Sequence, residues 1–287
     1  MIEDLKNRNT PEDNSSKDDV RRDIADLPKT PSADLNGKKA IVTGGNGGLG
    51  LACSAALAEA GAEVFILARN QKKSDEAVAA IKQAGGQAHA IAVDIVDLDA
   101  MRGVLADLPL CSILVNNAGI NRLDDFINVS EKDFDAIFNV NVRAAFFTSQ
   151  EFTRRLLSAQ DQGGKSGHIQ GGSIINMSSQ MAYVGGEQRS VYCASKHAME
   201  GFTKAMAWEL GPKNIRVNTI CPTFFVTPLT DPMLADDSFM ESVIDKIALG
   251  KVGYPQDIMA AVVFLASDGS AMVTGSALKI DGGWTAV

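Results

Sequence analysis

The chain has 287 residues, 45% of them hydrophobic and 22% charged, a balance that suits one α/β domain with a sizeable core. The 35 acidic residues outnumber 27 basic ones, and the formal charge of −8 argues against non-specific binding to nucleic acid or an anionic membrane surface. No apolar run approaches a bilayer span, and neither the four cysteines nor the three histidines are spaced as metal ligands or a disulfide framework, so cytoplasmic, reducing surroundings are expected.

Residues 1–36 are polar, with nine acidic and six basic side chains, and read as a flexible N-terminal extension or as an arm packing on a neighbouring subunit. Within them residues 21–24 are a candidate helical turn. From there to residue 287 short apolar strands alternate with helices. Strands are expected at 40–43, 63–68, 89–93, 112–115, 173–177, 216–220 and 277–280. Helices are expected at 51–60, 74–83, 97–105, 131–158 (one or two), 191–210 and 255–265, with a polar loop at 161–172. This rhythm predicts a doubly wound parallel sheet covered on both faces. Residues 223–250 are irregular but carry Phe224, Phe225, Leu229, Met233, Leu234, Phe239 and Met240, as a substrate lid would, or a short helix packed on the core.

Thr43-Gly44-Gly45-Asn46-Gly47-Gly48-Leu49-Gly50 joins the first strand to the first helix. Glycines there let the backbone approach a pyrophosphate, and the helix N-terminus offers free N–H groups. The spacing differs from the commoner G-x-G-x-x-G. Nineteen residues after Gly50 stands Arg69, where an NAD site places a carboxylate. The guanidinium matches a 2′-phosphate, so NADP(H) is expected over NAD(H), unless Arg69 is merely a solvated charge. Gly47 brings no second cation.

Tyr192 is followed by a lysine four residues on, Lys196, which places both on one helix face, where an ammonium favours tyrosinate and lowers the phenol pKa. Ser179 lies thirteen residues earlier, at the carboxyl end of a strand, where open parallel sheets bind ligands. Cys193 reads as a small packing residue, His197 as structural or surface, and Trp208 with the methionines of its helix as core.

Taken in order, Thr43-Gly44-x3-Gly48-x-Gly50, Asn116-Asn117-Ala118-Gly119, Asn141, Ser178-Ser179, Tyr192-x3-Lys196 and Asp281-Gly282-Gly283-Trp284 resemble the short-chain dehydrogenase/reductase family over residues 36–287. The resemblance implies one Rossmann-type domain, 37–287, around a seven-stranded sheet. It makes Tyr192 the acid/base, Lys196 the lysine that lowers the tyrosine pKa and binds the nicotinamide ribose, Ser179 the holder of the reacting oxygen and Asn141 the holder of a relay water. It places Gly44, Asn46, Gly48, Leu49, Gly50 and Arg69 at the phosphates, Asp94 and Ile95 at adenine, and Asn117, Ala118 and Gly119 beside the adenosine ribose. Phe225 and Thr227 fall at the nicotinamide carboxamide. Pro222-Thr223 replaces the family's Pro-Gly, which puts that turn in question.

The expected reaction interconverts a secondary alcohol and a ketone with NADP(H). The terminal segment is similar to members acting on sugars, sugar acids and polyols; a 3-oxoacyl-carrier-protein reductase or general carbonyl reductase is the rival, with Arg143, Arg154 and Arg155 as its candidate basic patch. A non-catalytic NADP sensor would be expected to lose Tyr192, Lys196 or Ser179. The partners implied are a small alcohol or ketone and further copies of the chain, with no metal. The resemblance implies a homotetramer, or a homodimer, built on apolar side chains that include Phe146, Phe147, Phe202, Met206 and Trp208, which a chain starting near Leu35 retains.

Overall fold

The computed structural model describes residues 29–161 and 171–287. The turn expected at 21–24 and most of the loop expected at 161–172 lie outside them. Ser32–Val287 forms one unit. Its strands are β1 (Lys39–Thr43), β2 (Glu63–Ala68), β3 (Gln87–Ala92), β4 (Ile113–Asn116), β5 (Gly172–Met177), β6 (Ile215–Pro222) and β7 (Ala277–Ile280). They form one seven-stranded parallel sheet in the order β3-β2-β1-β4-β5-β6-β7. The helices are α1 (Gly48–Glu59), α2 (Gln71–Gln83), α3 (Leu98–Asp107), α4 (Glu131–Phe138), α5 (Ala145–Asp161), α6 (Ser190–Leu210), α7 (Asp231–Leu234), α8 (Asp237–Ile244) and α9 (Met259–Ala266).

The strands are continuous apolar runs because both sheet faces are covered and successive side chains point to opposite faces. Ala40 and Val42 of β1 enter one core with α1, α2 and α9, while Ile41 enters another with α3, α5 and α6. Leu35 is fully buried, and its N–H donates to the Ala60 carbonyl at 2.8 Å.

Two local features resolve alternatives that the sequence leaves open. Of the one or two helices expected at 131–158 there are two, and a π-helical segment, Asn139–Ala144, separates α4 from α5. Residues 223–250 contain α7 and α8, and Phe224, Leu234, Val243 and Ile247 pack with Met181, Cys193 and Val252 in a third core. Trp208, read both as core and as part of an apolar assembly face, is 83% exposed, which rules out the core reading. Met199, Thr203 and Ala207 form the buried face of α6, and position 208 lies about 100° round the helix from 207. No helix among the described residues is long and apolar enough to cross a membrane.

Candidate active site

The carboxyl ends of β1 to β6 open on a cleft of about 850 Å³. It lies where the strand order reverses beside β1, the place at which such sheets bind ligands. The glycine turn is shaped for close approach. Gly44 has φ +63°, and a Cβ on Gly50 would meet the Gly44 carbonyl at 2.2 Å. No side chain caps the N-terminus of α1, so its first N–H groups are free for an anion. The Asn117 side chain donates to the carbonyls of Thr43 and Gly44 at 3.1 and 3.2 Å, which ties the turn to β4. Asn46 donates to Ser74 Oγ at 2.9 Å and ties it to α2.

Gly44, Asn46, Gly48, Leu49, Arg69, Asp94, Ile95, Asn117, Ala118, Gly119, Phe225 and Thr227 all line this cleft. Two of them present less than the sequence implies. The Asp94 carboxylate accepts from the Val96 N–H at 3.1 Å. The Phe225 ring is 2% exposed in the core, which leaves its main chain for the cleft. Lys73, unremarked in the sequence, also lines the cleft, and its ammonium would lie 2.5 Å from a Cβ on Gly47. The second cation absent from the glycine turn is thus supplied by α2. These residues fit a dinucleotide: a tight glycine cradle, free helix N–H groups, and two cations beside the end of β2.

Tyr192 and Lys196 share the inward face of α6. The Lys196 ammonium lies 5.5 Å from the centre of the Tyr192 ring and donates to the Met177 carbonyl at 2.7 Å. Burial brings Lys196 down to about 8, while Cys221 and Glu200 act against the fall. Burial also pushes the Tyr192 phenol up to about 12, with the Ser179 hydroxyl pulling it down. The lowering of Tyr192 expected from its lysine is therefore not found in the protein alone: desolvation of the phenol outweighs it. Asn141 is fully buried in the π segment. Its side chain exchanges two hydrogen bonds with the main chain of Ile120, at 2.8 and 2.9 Å, and donates to Ser195 Oγ at 3.1 Å. Its side chain is thus engaged within the protein, beside Gly119 and behind Lys196.

Tyr192 and Ser179 also line a second cavity, of about 260 Å³. Asn121, Gln180, Arg189 and Thr223 face it, and sequence reasoning missed all four as site residues. Thr223 adopts no positive φ and its N–H donates to the Ile280 carbonyl at 3.2 Å, so Pro-Thr forms the turn without a glycine.

Comparison with known proteins places this arrangement. Residues 44–285 match the family model described as enoyl-(acyl carrier protein) reductase. The 2-dehydro-3-deoxy-D-gluconate 5-dehydrogenase of Dickeya dadantii is 36% identical over 256 residues, covering 88% of this chain and 97% of that protein. L-xylulose reductase of Bos taurus is 36% identical over 252 residues, covering 88% and 98%. A crystal structure from Agrobacterium tumefaciens with bound NADP, provisionally described as a 2-deoxy-D-gluconate 3-dehydrogenase, superposes with a TM-score of 0.82. It is 39% identical and covers 90% of this chain and 100% of that one. Sequence, sheet order and the ordered placement of Gly44, Ser179, Tyr192 and Lys196 around one cleft agree, and the chain belongs to the short-chain dehydrogenase/reductase family of oxidoreductases.

Proposed function

We propose that the protein interconverts a secondary alcohol and a ketone on a small sugar, sugar acid or polyol, using NADP(H) in preference to NAD(H). The observation that carries this reading is that Tyr192 and Ser179 line both cavities, the long one with its glycine cradle and the small one beside it. The nicotinamide, when bound, supplies or accepts the hydride. Tyr192 holds the transferable proton on its phenol oxygen. Ser179 donates to the substrate oxygen, and the Lys196 ammonium favours the ionised phenol. Asn141 braces the Ile120 segment that adjoins Lys196, and in this reading its position serves a relay water.

Arg69 and Lys73 support the preference for a 2′-phosphate. The relatives named for gluconate derivatives and xylulose support the substrate class. The acyl-carrier rival needs a free basic patch, but Arg155 donates to the Leu108 carbonyl at 2.5 Å and Arg154 lies 3.7 Å from Glu151. Free cysteines at all four positions are in keeping with a cytoplasmic setting. Exposed Trp208 and Phe146 are in keeping with a homotetramer or homodimer. The test is NADPH oxidation with a panel of ketoses, keto acids and β-ketoesters. Turnover with the first two is expected, with loss in Tyr192→Phe and little change in NADPH binding. A Tyr192→Phe enzyme of near-normal rate would refute the acid/base role.

A further inference from the structure

The cavity beside Tyr192 is small for a ligand site, about 260 Å³. Four of the polar atoms on its lining residues lack any hydrogen-bond partner. Gln180 is 1% exposed, and neither its amide oxygen nor its nitrogen is paired. Asn121 Oδ1 and Thr223 Oγ1 are buried in the same condition. These atoms have almost no accessible surface, so they lie behind the cavity wall, and the charge that faces a ligand comes from elsewhere.

Arg189 adds a charge to the same cavity. It sits just ahead of α6, half-buried, with its guanidinium 5.8 Å from the Phe224 ring centre and 5.9 Å from that of Phe239. One nitrogen donates to the Glu187 carbonyl at 2.8 Å and another lies 3.6 Å from Met233 Sδ. Every ion pair among the described residues involves other side chains. The guanidinium has therefore lost part of its water to two aromatic rings with no carboxylate at ion-pair distance, the Glu187 charge acting on it only from farther off. Burial accordingly pulls it below its usual pKa. A planar fork of donors held in this way matches a carboxylate.

We infer that the substrate is a short polyhydroxy acid whose carboxylate is held by Arg189. The inference rests on the oxidoreductase reading above and narrows it from sugars and polyols at large to their acids. Arg189 and Tyr192 line one small cavity, so one short substrate can meet both the guanidinium and the phenol.

The experiment is calorimetric titration of the NADPH-loaded protein, in which an alcohol binds but is not oxidised, repeated on the protein without nucleotide. The probes are matched pairs: D-gluconate against D-glucitol, and L-arabinonate against L-arabinitol. The acids are expected to bind about ten- to a hundred-fold more tightly than the alcohols. Arg189→Gln erases that preference and leaves alcohol binding in place, and Arg189→Lys keeps part of it. Equal affinities, absent binding of the acids, or a preference that survives Arg189→Gln overturns the inference. Failure to turn over any ketone with NADPH overturns the oxidoreductase reading instead, and the calorimetric comparison still judges Arg189.

Discussion

Lys196 and Glu200 lie one helical turn apart on α6, both buried, and the Glu200 carboxylate accepts from Tyr183 Oη at 2.8 Å and Cys221 Sγ at 3.3 Å. A lysine with a folded value of about 8 keeps its ammonium below that pH and loses it above. The kcat/KM for ketone reduction is therefore expected to fall above about pH 8. Glu200→Gln removes a charge that favours the ammonium, so the fall moves to lower pH; a pH profile with an unmoved alkaline limb rejects the coupling. Folded Lys196 also binds fewer protons than unfolded Lys196 between about 8 and its usual value of 10.5. Its contribution to stability thus rises with pH across that window, as urea titrations at each pH would register. At the other end of the cleft, Arg69→Ala and Lys73→Ala each remove one exposed cation. Each is expected to weaken NADPH binding by about 1 kcal/mol, the modest worth of an exposed charge pair, and to leave NADH unchanged. Fluorescence titration of both nucleotides checks this, and equal losses reject the assignment.

Among the elements, the glycine turn before α1 is the most exacting. Gly50→Ala would place a methyl group 2.2 Å from the Gly44 carbonyl, a clash that only movement of the turn relieves. NADPH affinity is expected to fall at least tenfold, about 1.4 kcal/mol or more, while circular dichroism stays that of the parent; unchanged affinity would show that the turn does not cradle the nucleotide. That turn, the parallel sheet and the Tyr192–Lys196 face were legible in the sequence, because each depends on spacing along one or two adjacent elements. The π segment at Asn139–Ala144 was not, since a slip of one residue in hydrogen bonding leaves no mark on apolar periodicity. Lys73 was not, because only the pitch of α2 brings it over Gly47. Asn121, Gln180 and Arg189 come from separate segments and carry ordinary polar side chains, so nothing local sets them apart, and Thr223 stood out only as a residue of a turn. Trp208 was misplaced because an apolar residue in a long helix reads as core unless its position round the axis is known.

For the whole molecule, the first question is where the fold begins. Leu35 is wholly buried, so a chain starting at Ser32 is expected to keep the Tm and the light-scattering mass of the full chain, whereas Leu35→Ala is expected to cost about 2–5 kcal/mol. Calorimetric melting separates the two, and a stable Leu35→Ala protein would remove this residue from the core. Exposed Trp208 at 83% and Met272 at 96% offer the proposed assembly a candidate surface, and a monomer by light scattering that still reduces ketones would refute that proposal alone. The two cavities have a joint wall: Thr223, Leu229 and Thr230 line both, and Thr227 packs within 4 Å of where a Cβ on Gly48 would stand. Occupancy of the long cleft is therefore expected to shape the small one, which predicts a compulsory sequence of arrivals and departures, nucleotide first in and last out. Product inhibition checks it: oxidised nucleotide is expected to compete with the reduced form alone, and the alcohol product to inhibit non-competitively against both reactants; any other pattern rejects the order.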